Sequence, residues 1–329
     1  VALTETPDRS ESDPAWSPDG RWLAYFCSSQ GEVHLMVMPS SGGAGRSVVE
    51  GPWSTRMQAR GPAWSPDGRS LIVPLSEGDH QLSSLYVVSV ETGVRRRLLE
   101  PPLGASDILP AASEDGSALA FMRVGNYGNV RQILLARLSE KGEAEGEPAS
   151  LPGVHPEVED FSWVKGGKEI LYSTGYAAAN ATSGFWTLRT ERRARPRLLM
   201  PVPGVHFLEG GMSPDGTKLI FAALQGTPTG YWRVDLTGAE GRERPGVEVP
   251  ASSGLDLNVA PSPDGKRFAY ASNRGGGGKS GCRGSMGARR DGLRTQKVGA
   301  AGRRAGRRTE SGSRTTPQWR GTGRCLSRG

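Results

Sequence analysis

The sequence has few of the residues that build metal centres and disulfide frameworks. Its 329 residues include four histidines and three cysteines. Because no histidine meets another ligand at helical or hairpin spacing, we predict structural or surface roles for His34, His80, His155 and His206. Cys27 lies in a predicted core strand, so we expect it to be a small buried side chain. The sequence predicts no metal site and no cofactor.

Long hydrophobic runs and amphipathic helices are also missing. No apolar run approaches the roughly 18 residues of a membrane span, and no window has a helical hydrophobic period. Without helices between its strands, the chain is not expected to form a parallel α/β fold. These absences favour an all-β protein and predict no membrane span in this chain.

Motifs for covalent catalysis and nucleotide binding are absent as well. No Gly-x-Ser-x-Gly elbow occurs. Residues 275–280 resemble a phosphate-binding loop, but Asn273 stands where that motif requires its first glycine. We therefore predict a non-enzymatic chain from which a catalytic domain is absent, with no catalytic residue.

The sequence does contain a turn that recurs at a nearly fixed interval. The closing glycines are separated by 48, 48, 51, 49 and 49 residues, and they are Gly20, Gly68, Gly116, Gly167, Gly216 and Gly265. Most copies have the form Ser-Pro-Asp-Gly, in which proline presets φ and glycine accepts a positive φ. A period of this length marks a stack of identical supersecondary units.

Each repeat contains four short strands. A strand enters the turn, an apolar strand leaves it, and two further runs such as Val33–Met38 and Ser47–Val49 follow. Four antiparallel strands repeated radially form the blade of a β-propeller. We predict six or seven four-stranded blades, the last one incomplete, with repeats starting near residues 13, 61, 109, 160, 209 and 258.

The pattern Pro-x-Trp-Ser-Pro-Asp-Gly, followed by an apolar strand, resembles the TolB-type, WD-like propeller repeat. The resemblance covers residues 1–274 and is strongest at Trp16, Trp64, Met212 and Pro261. It implies a binding role and a periplasmic or other extracytoplasmic location, although no signal peptide is visible. Trp16, Trp64 and Trp163 share one repeat position, which favours packing between blades over ligand stacking.

The resemblance leaves three functional contexts open, because one fold serves many functions. The first is a non-enzymatic module that binds a protein or peptide at the mouth of the propeller channel. The second is the substrate-gating propeller of a prolyl oligopeptidase-like peptidase that lacks its catalytic domain here. The third is the sensor domain of a membrane-anchored kinase or transcription regulator.

Residues 275–329 differ from the rest of the chain. They hold 14 Lys and Arg against 2 acids, a net charge of +12, whereas residues 1–274 hold 27 basic and 32 acidic residues, a net charge of −5. Their 15 glycines and few apolar side chains predict a disordered Arg/Gly-rich tail. One interpretation is a nucleic-acid-binding arm. The other, which we favour, is a shifted reading frame, so nucleic acid is an unexpected partner.

Candidate partner-binding residues fall into two groups. Three residues before the Trp position stand Asp13, Asp160, Glu209 and Asn258, which would ring one mouth of the channel. They either recognise a cation or basic peptide, or cap amides between blades. The loops after each second strand should lie on the same face and carry the remaining candidates, His80, Asn126, Tyr127, Tyr176 and Asn180.

Overall fold

The computed structural model describes 23 β-strands. It covers residues 3–4, 9–29, 32–49, 61–76, 82–125, 131–164, 166–175, 183–191, 193–202, 207–213, 215–224, 230–236, 247–249, 256–272 and 285–290. Within these ranges the chain has no helix, hence none long and apolar enough to cross a membrane.

The strands form six antiparallel sheets, which we number in chain order. The first two sheets contain β1 (Ser10–Trp16), β2 (Trp22–Ser29), β3 (Glu32–Pro39), β4 (Arg46–Val49), β5 (Ala63–Trp64), β6 (Ser70–Leu75), β7 (Ser84–Ser89) and β8 (Arg95–Leu99). The third and fourth contain β9 (Ser106–Ala112), β10 (Ala118–Val124), β11 (Arg131–Leu138), β12 (Ala144–Ser150), β13 (Val158–Val164), β14 (Glu169–Thr174), β15 (Gly184–Arg189) and β16 (Arg197–Pro201). The last two contain β17 (Phe207–Met212), β18 (Lys218–Leu224), β19 (Gly230–Asp235), β20 (Val247–Val249), β21 (Asp256–Pro261), β22 (Arg267–Ser272) and β23 (Ser285–Arg290).

Each strand pairs with the next one along the chain, so every sheet is a meander. The first strands of neighbouring sheets contact one another, which places them innermost. The prediction of an all-β propeller is confirmed, with five complete four-stranded blades in the described part of the chain. The sixth sheet has three described strands, β21, β22 and β23.

The turn between the first and second strands is held by a serine and an aspartate. In the first sheet, Ser17 Oγ donates to Asp19 Oδ1 at 2.6 Å and accepts the Trp22 N–H at 2.9 Å. The same carboxylate accepts the Arg21 N–H at 3.0 Å, and Gly20 closes the turn at φ +71°. The serine and aspartate side chains thus satisfy each other and two backbone amides within the turn.

This Ser–Asp bond occurs in five of the six turns. The other four pairs are Ser65–Asp67, Ser113–Asp115, Ser213–Asp215 and Ser262–Asp264. The fourth sheet has Val164 and Gly166 at the two positions. There the turn relies on the backbone, since Gly166 and Gly167 take φ values of +64° and +75°.

The hydrophobic core lies between neighbouring sheets. One cluster joins Phe26 and Val37 of the first sheet to Leu71 and Tyr86 of the second. Because a radial sheet packs on both of its faces, alternate residues are buried in both directions, and all six residues of β14 are buried. Continuous apolar strands therefore mark the middle of each blade.

Tryptophans at one repeat position bond three of the six sheets to the sheet before them. Their indole N–H groups donate to backbone carbonyls, in the pairs Trp64 to Ala15 (3.1 Å), Trp163 to Ala111 (2.8 Å) and Trp16 to Ala260 (3.0 Å). The tryptophans are mostly buried, with Trp16 and Trp64 8% and 7% exposed. The predicted role in packing between blades is confirmed.

The bond from Trp16 joins the first sheet to the sixth. Strand β1 contacts β21, β22 and β23. A Cβ on Gly20 would lie 3.9 Å from Pro263 Cδ, as a Cβ on Gly68 would lie 4.0 Å from Pro18 Cδ in the next pair of sheets. The contacts between the sixth and first sheets therefore repeat those between sheets adjacent in the chain.

Leu3, near the start of the chain, lies at the same junction. It packs against the cluster that contains Trp16 and Ala269, and a Cβ on Gly42 would lie 3.7 Å from Leu3 Cδ2. The glycine of the equivalent turn in the second sheet, Gly93, instead meets Val48 of β4, the outermost strand of the sheet before it. Leu3 thus occupies the place that an outermost strand occupies elsewhere.

Strand β23 lies in the segment that we predicted to be a disordered tail. Ser285–Arg290 pairs with Arg267–Ser272 over six residues. The physical reason is that the free edge of β22 offers backbone donors and acceptors, which a segment can use whatever its side chains are. The expectation of disorder is wrong for these six residues, and the remainder of 275–329 lies outside the described residues.

Candidate functional site

The mouth face is the side of the ring on which the innermost strands β1, β9 and β13 begin. Two of the residues predicted to ring it, Asp13 and Asn258, have positive φ values of +54° and +56°. The pairing register shifts around both of them, which indicates β-bulges. Gly61 and Leu109 share the repeat position and have φ values of +55° and +50°. Glycine, asparagine and aspartate tolerate this conformation best, so the backbone explains part of the sequence pattern.

The other two predicted residues bond to the sheet that follows them. Asp160 Oδ2 accepts the Gly210 N–H at 3.2 Å, which joins the fourth sheet to the fifth. Glu209 Oε2 accepts the Asn258 N–H at 2.9 Å, which joins the fifth sheet to the sixth. Both carboxylates therefore cap amides between blades, as one of the two interpretations expected. Partner binding by Asp13, Asp160, Glu209 and Asn258 stays a prediction.

Hydrogen bonds between neighbouring sheets come from tryptophans at some interfaces and from acidic residues at others. Tryptophan bonds join the sixth sheet to the first, the first to the second and the third to the fourth. At the other three interfaces the tryptophan position holds Ala112, Met212 or Pro261. The carboxylates of Asp160 and Glu209 bond across two of these interfaces, and the third is joined through the backbone of a residue that we had not singled out, Asp107.

Asp107 joins the second and third sheets at the mouth face. Its backbone N–H donates to Ser83 O at 2.9 Å, and Ser83 Oγ donates back to Asp107 O at 3.0 Å. The Ser83 N–H also donates to Ser106 Oγ at 3.2 Å. The segment before β7 is thereby fixed to the start of β9.

The Asp107 carboxylate forms a two-bond ion pair with Arg123 of β10. Arg123 Nε lies 2.7 Å from Oδ1 and Nη2 lies 2.8 Å from Oδ2, and the guanidinium stands 5.5 Å from the centre of the Phe121 ring. The side chain of Asp107 is 0% exposed and that of Arg123 is 19% exposed. Burial raises the pKa of Asp107, and its hydrogen bonds from Arg123 oppose that rise. The pair holds one cation in a single orientation.

The sequence contained a signal for this pair that we missed. Asp107 stands five residues before the tryptophan position, in an otherwise apolar strand. Glu11 stands at the same repeat position, is 2% exposed and accepts a hydrogen bond from Thr4. A charged residue that repeats within a core strand requires a buried partner.

The remaining predicted site residues cannot be placed. His80, Asn126, Tyr127, Tyr176 and Asn180 lie outside the described residues.

Two other expectations concern single side chains. Nδ1 of His155 lies 2.6 Å from the Tyr172 hydroxyl, and its ring lies 4.2 Å from that of Trp186, so it has the predicted structural role. Cys27 is buried as expected, and burial raises the pKa of its thiol. In the part of the chain that the structure describes, no group of three or more His, Cys, Asp or Glu could hold a metal ion.

Solved structures with a similar fold include TolB, an oligogalacturonate lyase and a prolyl oligopeptidase. TolB from Acinetobacter baumannii is 16% identical with a TM-score of 0.58, over 86% of this chain and 61% of its own. An oligogalacturonate lyase in complex with manganese is 14% identical with a TM-score of 0.56, over 87% of this chain and 91% of its own. Prolyl oligopeptidase B from Galerina marginata is 13% identical with a TM-score of 0.55, over 88% of this chain and 41% of its own.

These similarities define the class of the molecule. No protein-family model matches the chain, and no curated protein matches it either. The chain has the fold of the TolB-type β-propellers, as the Trp-Ser-Pro-Asp-Gly repeats indicated. It spans less than two thirds of the TolB chain and about two fifths of the oligopeptidase chain.

Proposed function

We propose that the chain is a non-enzymatic β-propeller that binds a protein or peptide on its mouth face, in the periplasm or another extracytoplasmic compartment. One observation carries the proposal. The tryptophans and acids of the repeated inner positions are bonded between sheets, which makes the ring a fixed frame. Binding residues are commonly carried on the connections of such a frame.

The proposal includes a closed ring of six blades. The bond from Trp16 to Ala260 and the packing of Leu3 at the same junction support closure. In this arrangement the sixth sheet is the last blade, and the N-terminal segment lies beside it as the fourth strand.

The test is a search for bound peptides and for the surface that they cover. An array of acetylated, amidated decapeptides is screened with the whole chain, and retained peptides are mapped by hydrogen exchange. We expect protection of mouth-face segments, such as 103–107 or 154–160, and no change in the turns at Gly20 and Gly68. Protection of the turns, or no retained peptide at millimolar concentration, would overturn the proposal. Turnover of oligogalacturonate with Mn²⁺ would also overturn it.

A gating propeller of a prolyl oligopeptidase-like peptidase is the second candidate. The oligopeptidase similarity favours it, since it covers 88% of this chain and only 41% of the oligopeptidase. The DNA that follows this reading frame tests the idea. A region with a Gly-x-Ser-x-Gly elbow would support it, and an upstream membrane span with a kinase or winged-helix region would instead support a sensor domain.

A further inference from the structure

A histidine and a tyrosine are bonded to each other in the hydrophobic cluster between the third and fourth sheets. Nδ1 of His155, in the connection between β12 and β13, lies 2.6 Å from the hydroxyl of Tyr172 in β14. Tyr172 is 0% exposed and belongs to the apolar cluster that contains Met122, Ile133 and Phe161. This hydrogen bond therefore fastens the connection to β14 from within an apolar core.

The bond requires one protonation state of His155. Burial raises the pKa of the Tyr172 hydroxyl, and a hydrogen bond from the backbone of His155 opposes that rise, so the hydroxyl keeps its proton at neutral pH. Among the described residues, the hydroxyl has no acceptor other than Nδ1. It must therefore donate to Nδ1, and this nitrogen can accept only while it carries no proton.

Protonation of His155 removes the acceptor. When Nδ1 carries a proton it becomes a donor, and the Tyr172 hydroxyl proton is left in apolar surroundings without a partner, which is unfavourable. The ring of Trp186, 4.2 Å from the His155 ring and tilted against it, attracts a charged imidazole. At a half-buried site this attraction is weaker than the cost of a buried hydroxyl without an acceptor.

The charged groups around His155 do not compensate for this loss. The titratable or charged groups on the elements that surround it are Tyr172, Glu157, Arg131, Glu159, Arg193 and Arg195. Arg131 and Glu159 neutralise each other at 2.7 Å. The two arginines lie on either side of Ala194, which packs against the same cluster, and they outnumber Glu157. Such a set of charges offers a further positive charge no net attraction.

We propose that His155 and Tyr172 form a pH-sensitive latch. The latch holds the connection at residues 151–157 against β14 while His155 is neutral, and it releases the connection when His155 is protonated. The connection leads into Val158, whose carbonyl oxygen accepts a hydrogen bond from Arg131 Nη1 at 3.1 Å. Release therefore loosens the start of β13 on the mouth face.

Hydrogen exchange of the whole chain between about pH 7.5 and about pH 5.5 tests the latch, because histidine changes its charge in this region. The Val158 N–H donates to His155 O at 3.2 Å and reports release, whereas the Gly116 N–H donates to Ser113 O within a turn and is the control. After correction for intrinsic exchange, we expect the protection factor of Val158 to fall about tenfold at the lower pH. That of Gly116 should not change.

Two variants separate the latch from other effects of acid. Tyr172→Phe keeps the ring and removes the hydroxyl, so a protonated His155 leaves no donor without a partner, and the pH dependence at Val158 should disappear. His34→Gln alters the other histidine of the described residues, whose side chain is 25% exposed, and should keep the pH dependence. The imidazole ¹⁵N shifts at neutral pH should show Nδ1 of His155 without a proton.

Several results would overturn the latch. An unchanged protection factor for Val158 would do so, as would an equal fall in Tyr172→Phe. Equal falls at Val158 and Gly116 would show a general loss of stability, and a proton on Nδ1 of His155 at neutral pH would contradict the required bond. None of these measurements needs a bound peptide, so failure of the latch would leave the proposed function standing.

Discussion

The two faces of the ring are built on different rules. The turn face is the side opposite the mouth face and carries the turns between the first and second strands of each sheet; five of its six turns repeat one arrangement, in which serine, aspartate and two backbone amides satisfy one another. On the mouth face the charged side chains have different partners, since the described starts of three innermost strands carry Glu11 with Thr4, Asp107 with Arg123, and Glu159 with Arg131. The repeated side-chain bonds of the turn face lie within each turn, whereas the mouth face depends on contacts that differ from sheet to sheet.

This difference shows which contacts the repeated sequence specifies in nearly every sheet and which contacts differ between sheets. A serine–aspartate bond that lies within one turn can recur unchanged, because it requires nothing from the neighbouring sheets. An ion pair such as Asp107–Arg123 requires two particular residues on paired strands of one sheet, so it recurs only where both positions recur. Substitutions on the two faces should therefore differ in size.

The largest effect is expected from Asp107→Asn. The change leaves Arg123 partly buried without its carboxylate, and breaking such a pair costs about 3 kcal/mol or more. The measurement is urea unfolding of the variant and of Asp115→Asn, which alters an exposed turn aspartate of the same sheet. The control should lose far less stability. Equal losses would remove the distinction between the two faces.

Gly211→Ala should have the next largest effect. The new Cβ would lie 2.5 Å from Pro261 Cδ in the sixth sheet, and overpacking of this kind costs about 2 kcal/mol. Pro261→Ala should restore most of the loss, because it removes the atom that collides. Thermal unfolding of both single variants and the double variant measures the coupling, and additive losses would show that the fifth and sixth sheets do not touch there.

Trp16→Phe and Trp64→Phe should each cost about 1 kcal/mol, through the loss of one indole hydrogen bond. Equal losses of stability in the two variants are the informative result, since Trp16 joins the sixth sheet to the first and Trp64 joins two sheets that are adjacent in the chain. Urea midpoints of the two variants give the comparison. A normal loss for Trp64→Phe beside no loss for Trp16→Phe would show that the ring is open.

The smallest expected effect is the loss of stability at low pH, when the aspartates of the turn face become protonated. Hydrogen bonds from Ser213 and from the backbone N–H of Thr217 lower the pKa of Asp215 to about 2, and the other four turn aspartates are lowered for the same kind of reason. Unfolded aspartates titrate near about 3.9. The stabilisation is therefore complete above about pH 4 and is lost as the pH falls towards 2.

Melting temperatures between pH 2 and 5 measure this effect. Asp215→Asn should flatten the pH dependence slightly, because its amide does not titrate. An Asp215→Asn profile identical in slope to the unaltered chain would show that the turn carboxylate contributes no pH-dependent stability.

The sequence predicted the features that repeat and missed those that occur once. The period of the closing glycines and the apolar strands after Gly20 and Gly68 were sufficient for the fold, since local turn chemistry and binary patterning agree there. The acids at 13, 160, 209 and 258 were grouped by position. The sequence could not separate the two that lie at β-bulges from the two that accept backbone amides, because the amide bonds depend on the neighbouring sheet.

Two misses have different physical causes. Asp107 shares its repeat position with Glu11, which signals a buried acid, but Glu11 stands opposite Cys27 and not a cation, so only the register reveals the pairing of Asp107 with Arg123. Strand β23 was missed because pairing with the edge of β22 uses the backbone and leaves little signature in Ser285–Arg290.

The central claim is that the ring closes through the same indole bond that joins blades adjacent in the chain. Hydrogen exchange at the tryptophan indoles, followed by NMR, tests it directly. We predict that the N–H of Trp16 exchanges as slowly as those of Trp64 and Trp163, while that of Trp22, 42% exposed, exchanges fast. Exchange of Trp16 at the rate of Trp22, with Trp64 and Trp163 protected, would contradict the closed ring.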